Sequence, residues 1–104
     1  MAEQEPLCRV FFEAEAFVWR GPAPFLFAQI PDAHSAELRF AASLASYGWG
    51  VVPVTAEIGD LVFKTSLFPR SGSYLLPLKV AVQRALTINP GDRISAILAV
   101  YPHQ

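Results

Sequence analysis

Glu13 and Glu15 stand two residues apart, a spacing that in an extended chain puts both carboxylates on one face, near enough to raise each other's pKa if partly buried. Such a pair suits acid and base work. The plainer alternative is a solvent-facing pair answered by Arg9. An enzyme built here would draw on Glu13, Glu15 or the hydroxyl of Ser66. His34 falls at a predicted helix start and His103 at the C-terminal end, so no local Ser/His/Asp or Cys/His arrangement is present, nor a spaced ligand set such as HExxH. We therefore assign no catalytic residue, no metal ligand and no cofactor from the sequence. Cys8, the single cysteine, falls on the apolar side of an alternating segment and reads as a small buried hydrophobe.

The cations carry a stronger signal. Residues 1–61 hold Arg9, Arg20 and Arg39 against eight acidic residues, a net of −5, whereas residues 62–104 hold Lys64, Arg70, Lys79, Arg84 and Arg93 against Asp92 alone, a net of +4. Between Leu61 and Gly91 there is no acidic residue. Lys64, Arg70, the Ser71-Gly72-Ser73 loop and Lys79 are expected to present cations and backbone N–H groups jointly to a small anion or a phosphorylated ligand. The alternative is that these cations only solubilise the chain and answer the acids of its first half.

These residues need elements to position them. From Cys8 to Trp19 the chain alternates, with Cys8, Val10, Phe12, Ala14, Ala16 and Val18 on one face, which predicts a long strand. Gly21, Pro22 and Pro24 predict a turn, and Phe25 to Ile30 a second strand folding back on the first. Asp32 is expected to cap a helix over Ala33 to Ser46, stopped by Gly48 and Gly50. Residues 51–67 flank Gly59-Asp60 with two alternating runs, predicting a hairpin that sets Ile58 opposite Leu61 and places Val52, Val54, Ala56 and Ile58 on the face of Leu61, Phe63, Thr65 and Leu67. Pro53 in such a strand belongs on an edge or beside a bulge. Then come a loop over Pro69–Ser73, a short strand at Tyr74–Leu76, and a helix from about Lys79 to Leu86 with Leu78, Val82 and Ala85 on one side. Asn89-Pro90-Gly91-Asp92 is a turn before a last strand from Arg93 to Tyr101. The fold class is mainly β: a small barrel of about six strands capped by two short helices. It forms a single domain over residues 8–101, between a flexible segment 1–7 and a tail 102–104.

Two stretches echo one another. Phe25 to Leu38 (apolar strand, Ile-Pro, helix) precedes the strand from Val51, and Tyr74 to Leu86 (apolar strand, Leu-Pro, helix) precedes the strand from Arg93. This suggests two like halves. The segment YLLPLKVAVQRALTINPGDRISAILAV, residues 74–100, resembles the swapped-hairpin half-barrel of AbrB- and MazE-type transcription factors. Together with Val54, Gly59, Phe63, Thr65-Ser66-Leu67, Pro69, Gly72 and Tyr74-Leu75-Leu76, it is similar to the bacterial family of domains of unknown function numbered nineteen-oh-five, over about residues 8–101. The resemblance implies a double-split β-barrel in which one chain supplies both halves of what AbrB-like proteins build as a dimer. It implies no particular function. Such a domain often precedes a second module of the YdeI/OmpD-associated type, and a chain that stops at Gln104 is expected to keep its role in the barrel or in a partner.

Composition narrows the classes. With 104 residues, 53% hydrophobic residues, 16% charged and a net charge of −1, the chain can build one true core and lacks the strong field of a non-specific nucleic-acid binder. The longest charge-free run, Phe40 to Ala56, is 17 residues and is broken by Gly48, Gly50 and Pro53, unsuited to a membrane span. An acidic N-terminus with no secretory apolar core predicts a cytoplasmic protein. The leading expectation is a non-enzymatic module that binds a small anion, associates with itself or engages a protein, using the loop 69–73 or an apolar patch of Phe11, Phe17 and Trp19. Trp19 and Trp49 adjoin glycine-rich turns where they would stack on a ligand or close the core. The alternative is an AbrB-like DNA-binding module with Lys79, Arg84 and Arg93 on phosphates. An enzyme ranks third.

Overall fold

Alternation decides the first strand. A computed structural model describes residues 5–19, 25–45 and 51–102, and in it β1 runs over Cys8–Trp19, burying Val10, Phe12 and Ala16 while Phe11, Glu13 and Glu15 face out. β2 (Phe25–Gln29) returns antiparallel to it, with Ala16 opposite Ala28 and Trp19 opposite Phe25. The expected turn at Gly21, Pro22 and Pro24 lies outside the described residues, as do Gly48, Gly50, Trp49 and His103.

After β2 the chain departs from expectation. Pro31, held extended at φ −57° and ψ 145°, leads into a short 3-10 turn at Asp32–His34, and α1 begins only at Ser35, running to Ala45. Asp32 therefore sits inside the turn and makes no capping bond, because the proline redirects the chain one turn before the helix starts. α1 buries Ser35, Leu38, Ala41, Ala42 and Ala45.

β3 (Val52–Ile58) and β4 (Leu61–Arg70) form the expected hairpin, with Ile58 opposite Leu61 and Val52 opposite Leu67. Gly59 has φ +58°, the positive value a two-residue turn with glycine first requires. Pro53 is tolerated because β3 meets β6 only over Thr55–Glu57, which leaves Pro53 beyond that ladder.

The loop expected at Pro69–Ser73 is instead a second tight hairpin. β4 continues through Arg70, β5 starts at Ser73 and runs to Leu78, and Arg70 pairs with Ser73. Ser71 and Gly72 both have positive φ (50° and 80°), the type I′ pattern. A serine in this left-handed conformation is why the stretch reads as loop. α2 (Val80–Leu86) buries Val82 and half-buries Leu86, while Ala85 is exposed, because the helix turns its Val82–Leu86 side to the barrel. β6 (Arg93–Val100) buries Ile94, Ala96, Leu98 and Val100.

The six strands close into an antiparallel barrel in the order β1-β2-β5-β4-β3-β6. A six-stranded barrel has a narrow interior. Ala16, Ala28, Ala56 and Ala96 fill it with no exposure at all beside Leu67, Leu76 and Leu98. β1 and β4 each change partner part-way: β1 pairs with β6 through Glu15 and with β2 from Ala16, and β4 pairs with β3 through Leu67 and with β5 from Phe68. The turn at residues 89–92 marks the first switch, where Gly91 N–H donates to Ala16 O (2.7 Å) and Ala16 N–H to Asp92 O (2.8 Å). Exchanging β1, β2, β3 with β4, β5, β6 leaves every pairing unchanged, so the barrel has two topologically equivalent halves.

Candidate functional site

The second partner switch opens a groove. Beyond Phe68↔Leu75, β4 stays with β3 while β5 stays with β2, so the two strands diverge and leave a cleft of about 480 Å³ on the outer surface. Strand alternation fills it with aromatics: because Leu26 and Ala28 point into the barrel, Phe25 and Phe27 must point out, and Leu67 inward leaves Phe68 outward. Pro77 lies opposite Phe27, and Thr65 and Ser66 supply hydroxyls from β4. The rings form a cluster, with Phe27 centred 6.3 Å from Phe17 and 6.4 Å from Phe25. Phe25 nevertheless stays 59% exposed and Phe68 43%, apolar area that folding leaves in water. Lys79, just after the end of β5, is the one charged residue among the described residues lining the groove.

A second, shallower depression of about 240 Å³ lies at the β4–β5 turn, lined by Arg39, Pro69, Arg70, Ser71, Gly72, Ser73 and Tyr74. Arg39 reaches it from α1 and donates from Nη2 to the Gly72 carbonyl at 3.0 Å. The Arg70 guanidinium lies 4.1 Å from the centre of the Trp19 ring. This contact joins β4 to β1, the two outer strands of the four-strand run β1-β2-β5-β4. Ser73 is spoken for: its buried hydroxyl donates to Ile30 O (2.9 Å) and accepts from Ser35 Oγ (3.2 Å).

The sequence model of a family described as "Domain of unknown function (DUF1905)" matches residues 12–98. The chain belongs to this family. A search of curated proteins found no match.

The residues expected to form one anion site are distributed over this DUF1905 barrel. Arg70, Ser71 and Gly72 come together at the turn, Lys79 belongs to the groove, and Lys64 lines neither. Six residues of extended strand, roughly 20 Å, separate Lys64 from Arg70, and the same interval separates Lys79 from Ser73. Arg39 was missed because it joins the turn across 33 residues of sequence. No local pattern marks Phe25, Phe27 and Phe68, because their convergence depends on the divergence of β4 and β5. Phe11 lies six positions from Phe17 along β1 and opposite Ile97 of β6, away from the aromatic cluster.

The carboxylate pair lines neither depression. Glu13 and Glu15 are exposed on β1, opposite Ser95 and Arg93, and Ser95 Oγ donates to Glu13 Oε2 at 3.3 Å. Ser66 lines the groove without a carboxylate or imidazole among the described residues beside it. Burial, and secondly the Glu37 carboxylate, push the Cys8 thiol above its ordinary pKa, which disfavours the reactive thiolate. Among the described residues no three His, Cys, Asp or Glu side chains gather as metal ligands, and no helix is long and apolar enough to cross a membrane.

Proposed function

We propose that this domain is a non-catalytic binding module whose ligand has a flat apolar body and an anionic group. The observation that carries the reading is the groove between β4 and β5: three phenylalanine rings and Pro77 form its walls, and Lys79 is the one charge among the described residues that line it. Its volume falls within the usual range of small-ligand sites, which are mostly apolar with a few placed polar groups. The rings offer stacking surface, the hydroxyls of Thr65 and Ser66 fix orientation, and the ammonium of Lys79 pairs with the anion.

Two naphthyl probes test this, anilinonaphthalene sulfonate carrying a charge and N-phenyl-1-naphthylamine carrying none. Wild type is expected to bind both saturably, with a fluorescence rise. Phe25→Ala should weaken both, whereas Lys79→Met should weaken only the sulfonate, by about tenfold, the value of one charge-assisted contact. Absence of saturable binding, or equal loss of both probes in Lys79→Met, would overturn the reading.

A further inference from the structure

We propose that Arg39 and Arg70 form a phosphate-binding site at the β4–β5 turn, separate from the aromatic groove. Two like charges converge on one small depression, and among the described residues no acidic side chain lines it. Like charges that share an exposed depression repel only weakly, and an anion placed there is attracted to both. Both guanidinium groups are also held in advance by contacts that leave donors free. The hydrogen bond to the Gly72 carbonyl uses one N–H of Arg39, and a guanidinium has five. Arg70 is oriented by its stacking over Trp19, an interaction of the ring face that consumes no N–H. Holding long side chains in place beforehand lowers the entropy lost on binding.

The donor set favours a phosphate over a carboxylate. One guanidinium fork already satisfies the two oxygens of a carboxylate. Two forks and the exposed Ser71 hydroxyl suit an anion with three or four oxygens. The turn geometry keeps this hydroxyl at the rim: Ser71 and Gly72 are the two central residues of the type I′ turn, and both are exposed. Ser73 takes no part, because its hydroxyl is committed to Ile30 and Ser35. Phe68, which lines the groove, is two residues before Arg70 on the same outer face of β4, so a phosphorylated ligand could extend from the turn toward the groove.

The test is calorimetric titration of the full chain with inorganic phosphate and with phenyl phosphate, at constant ionic strength set by chloride. Saturable phosphate binding is expected in wild type and in Lys79→Met, and a loss of about tenfold or more in Arg39→Gln and in Arg70→Gln. Both arginines are exposed, so the variants should fold, and their circular dichroism and melting temperature check this. In a Trp49→Phe background the Trp19 fluorescence should shift with the same titration curve, since the anion acts on the guanidinium stacked upon it. Tighter binding of phenyl phosphate than of phosphate identifies a phosphorylated ligand, and equal binding identifies free phosphate. Phosphate binding that survives Arg70→Gln, or none in wild type, overturns the proposal. Since Lys79→Met separates the two sites, failure here leaves the groove's own test standing.

Discussion

Ser73 carries more of the turn than its size suggests. It is 2% exposed, and its hydroxyl ties the start of β5 to the Ile30 carbonyl while receiving the Ser35 hydroxyl from the first turn of α1. The stretch from Ile30 to Ser35 and the start of β5, about 40 residues apart in sequence, meet at one oxygen. Replacing it with alanine leaves a buried carbonyl and a buried hydroxyl short of a partner, at a cost of about 1–3 kcal/mol. Ser73→Ala should therefore lower the melting temperature by several degrees, read by calorimetry. Ser71→Ala, at an exposed position two residues away, should do far less, and equal losses would refute the account. None of this network was legible in sequence, where Ser71, Gly72 and Ser73 look alike as loop residues. The sequence does set Arg70 beside this turn, and the two line one depression, while Arg39 joins them only through the packing of α1 against the turn.

The strands and the helices differ in how far local pattern governs them. β1, the β3–β4 hairpin and β6 follow from period-two alternation because one face of each is buried: β1 has the expected bounds, the hairpin sets Ile58 opposite Leu61 as expected although β4 runs on to Arg70, and β6 ends one residue early at Val100. The start of α1 does not, since a cap depends on backbone geometry that composition leaves open. Pro31 displaces Asp32 from the cap of α1, and α2 ends at Thr87 in the left-handed conformation (φ 55°, ψ 49°), with its N–H bonded to Gln83 O. A β-branched residue there is strained, and glycine is the usual occupant. Thr87 is exposed, so its side chain contributes little packing to set against that strain. Thr87→Gly is expected to stabilise the domain by about 0.5–1 kcal/mol, measured as a rise in the urea midpoint at unchanged slope. A fall in the midpoint would show that the threonine side chain holds the 87–92 segment in a way the backbone alone does not.

At the scale of the molecule, the two-half topology makes a prediction about connectivity. Exchanging the halves carries the β3–β4 hairpin onto the β6–β1 pair, so the turn at Gly59-Asp60 corresponds to the place where the two chain ends meet. Cys8 lies opposite Val100, and Leu7 N–H donates to Val100 O at 2.6 Å, which brings the ends of the barrel chain together. If the pairings and the shared core hold the fold, rather than the order in which the chain visits the strands, either junction can be open while the other is closed. A circular permutant that joins Gln104 to Met1 and begins at Asp60 should fold to the same barrel. Both turn residues are exposed, and the joined segment adds a loop whose closure costs little, so the loss should be about 1 kcal/mol. Cooperative urea unfolding and a native-like near-ultraviolet circular dichroism spectrum would establish this. A permutant opened instead at Lys64, inside the β3–β4 ladder, should fail to fold, because that cut divides a strand whose pairing with β3 closes one side of the barrel. Should the Asp60 permutant also fail, the equivalence of the halves would be one of shape alone, with the β3–β4 hairpin acting as an obligatory link between them.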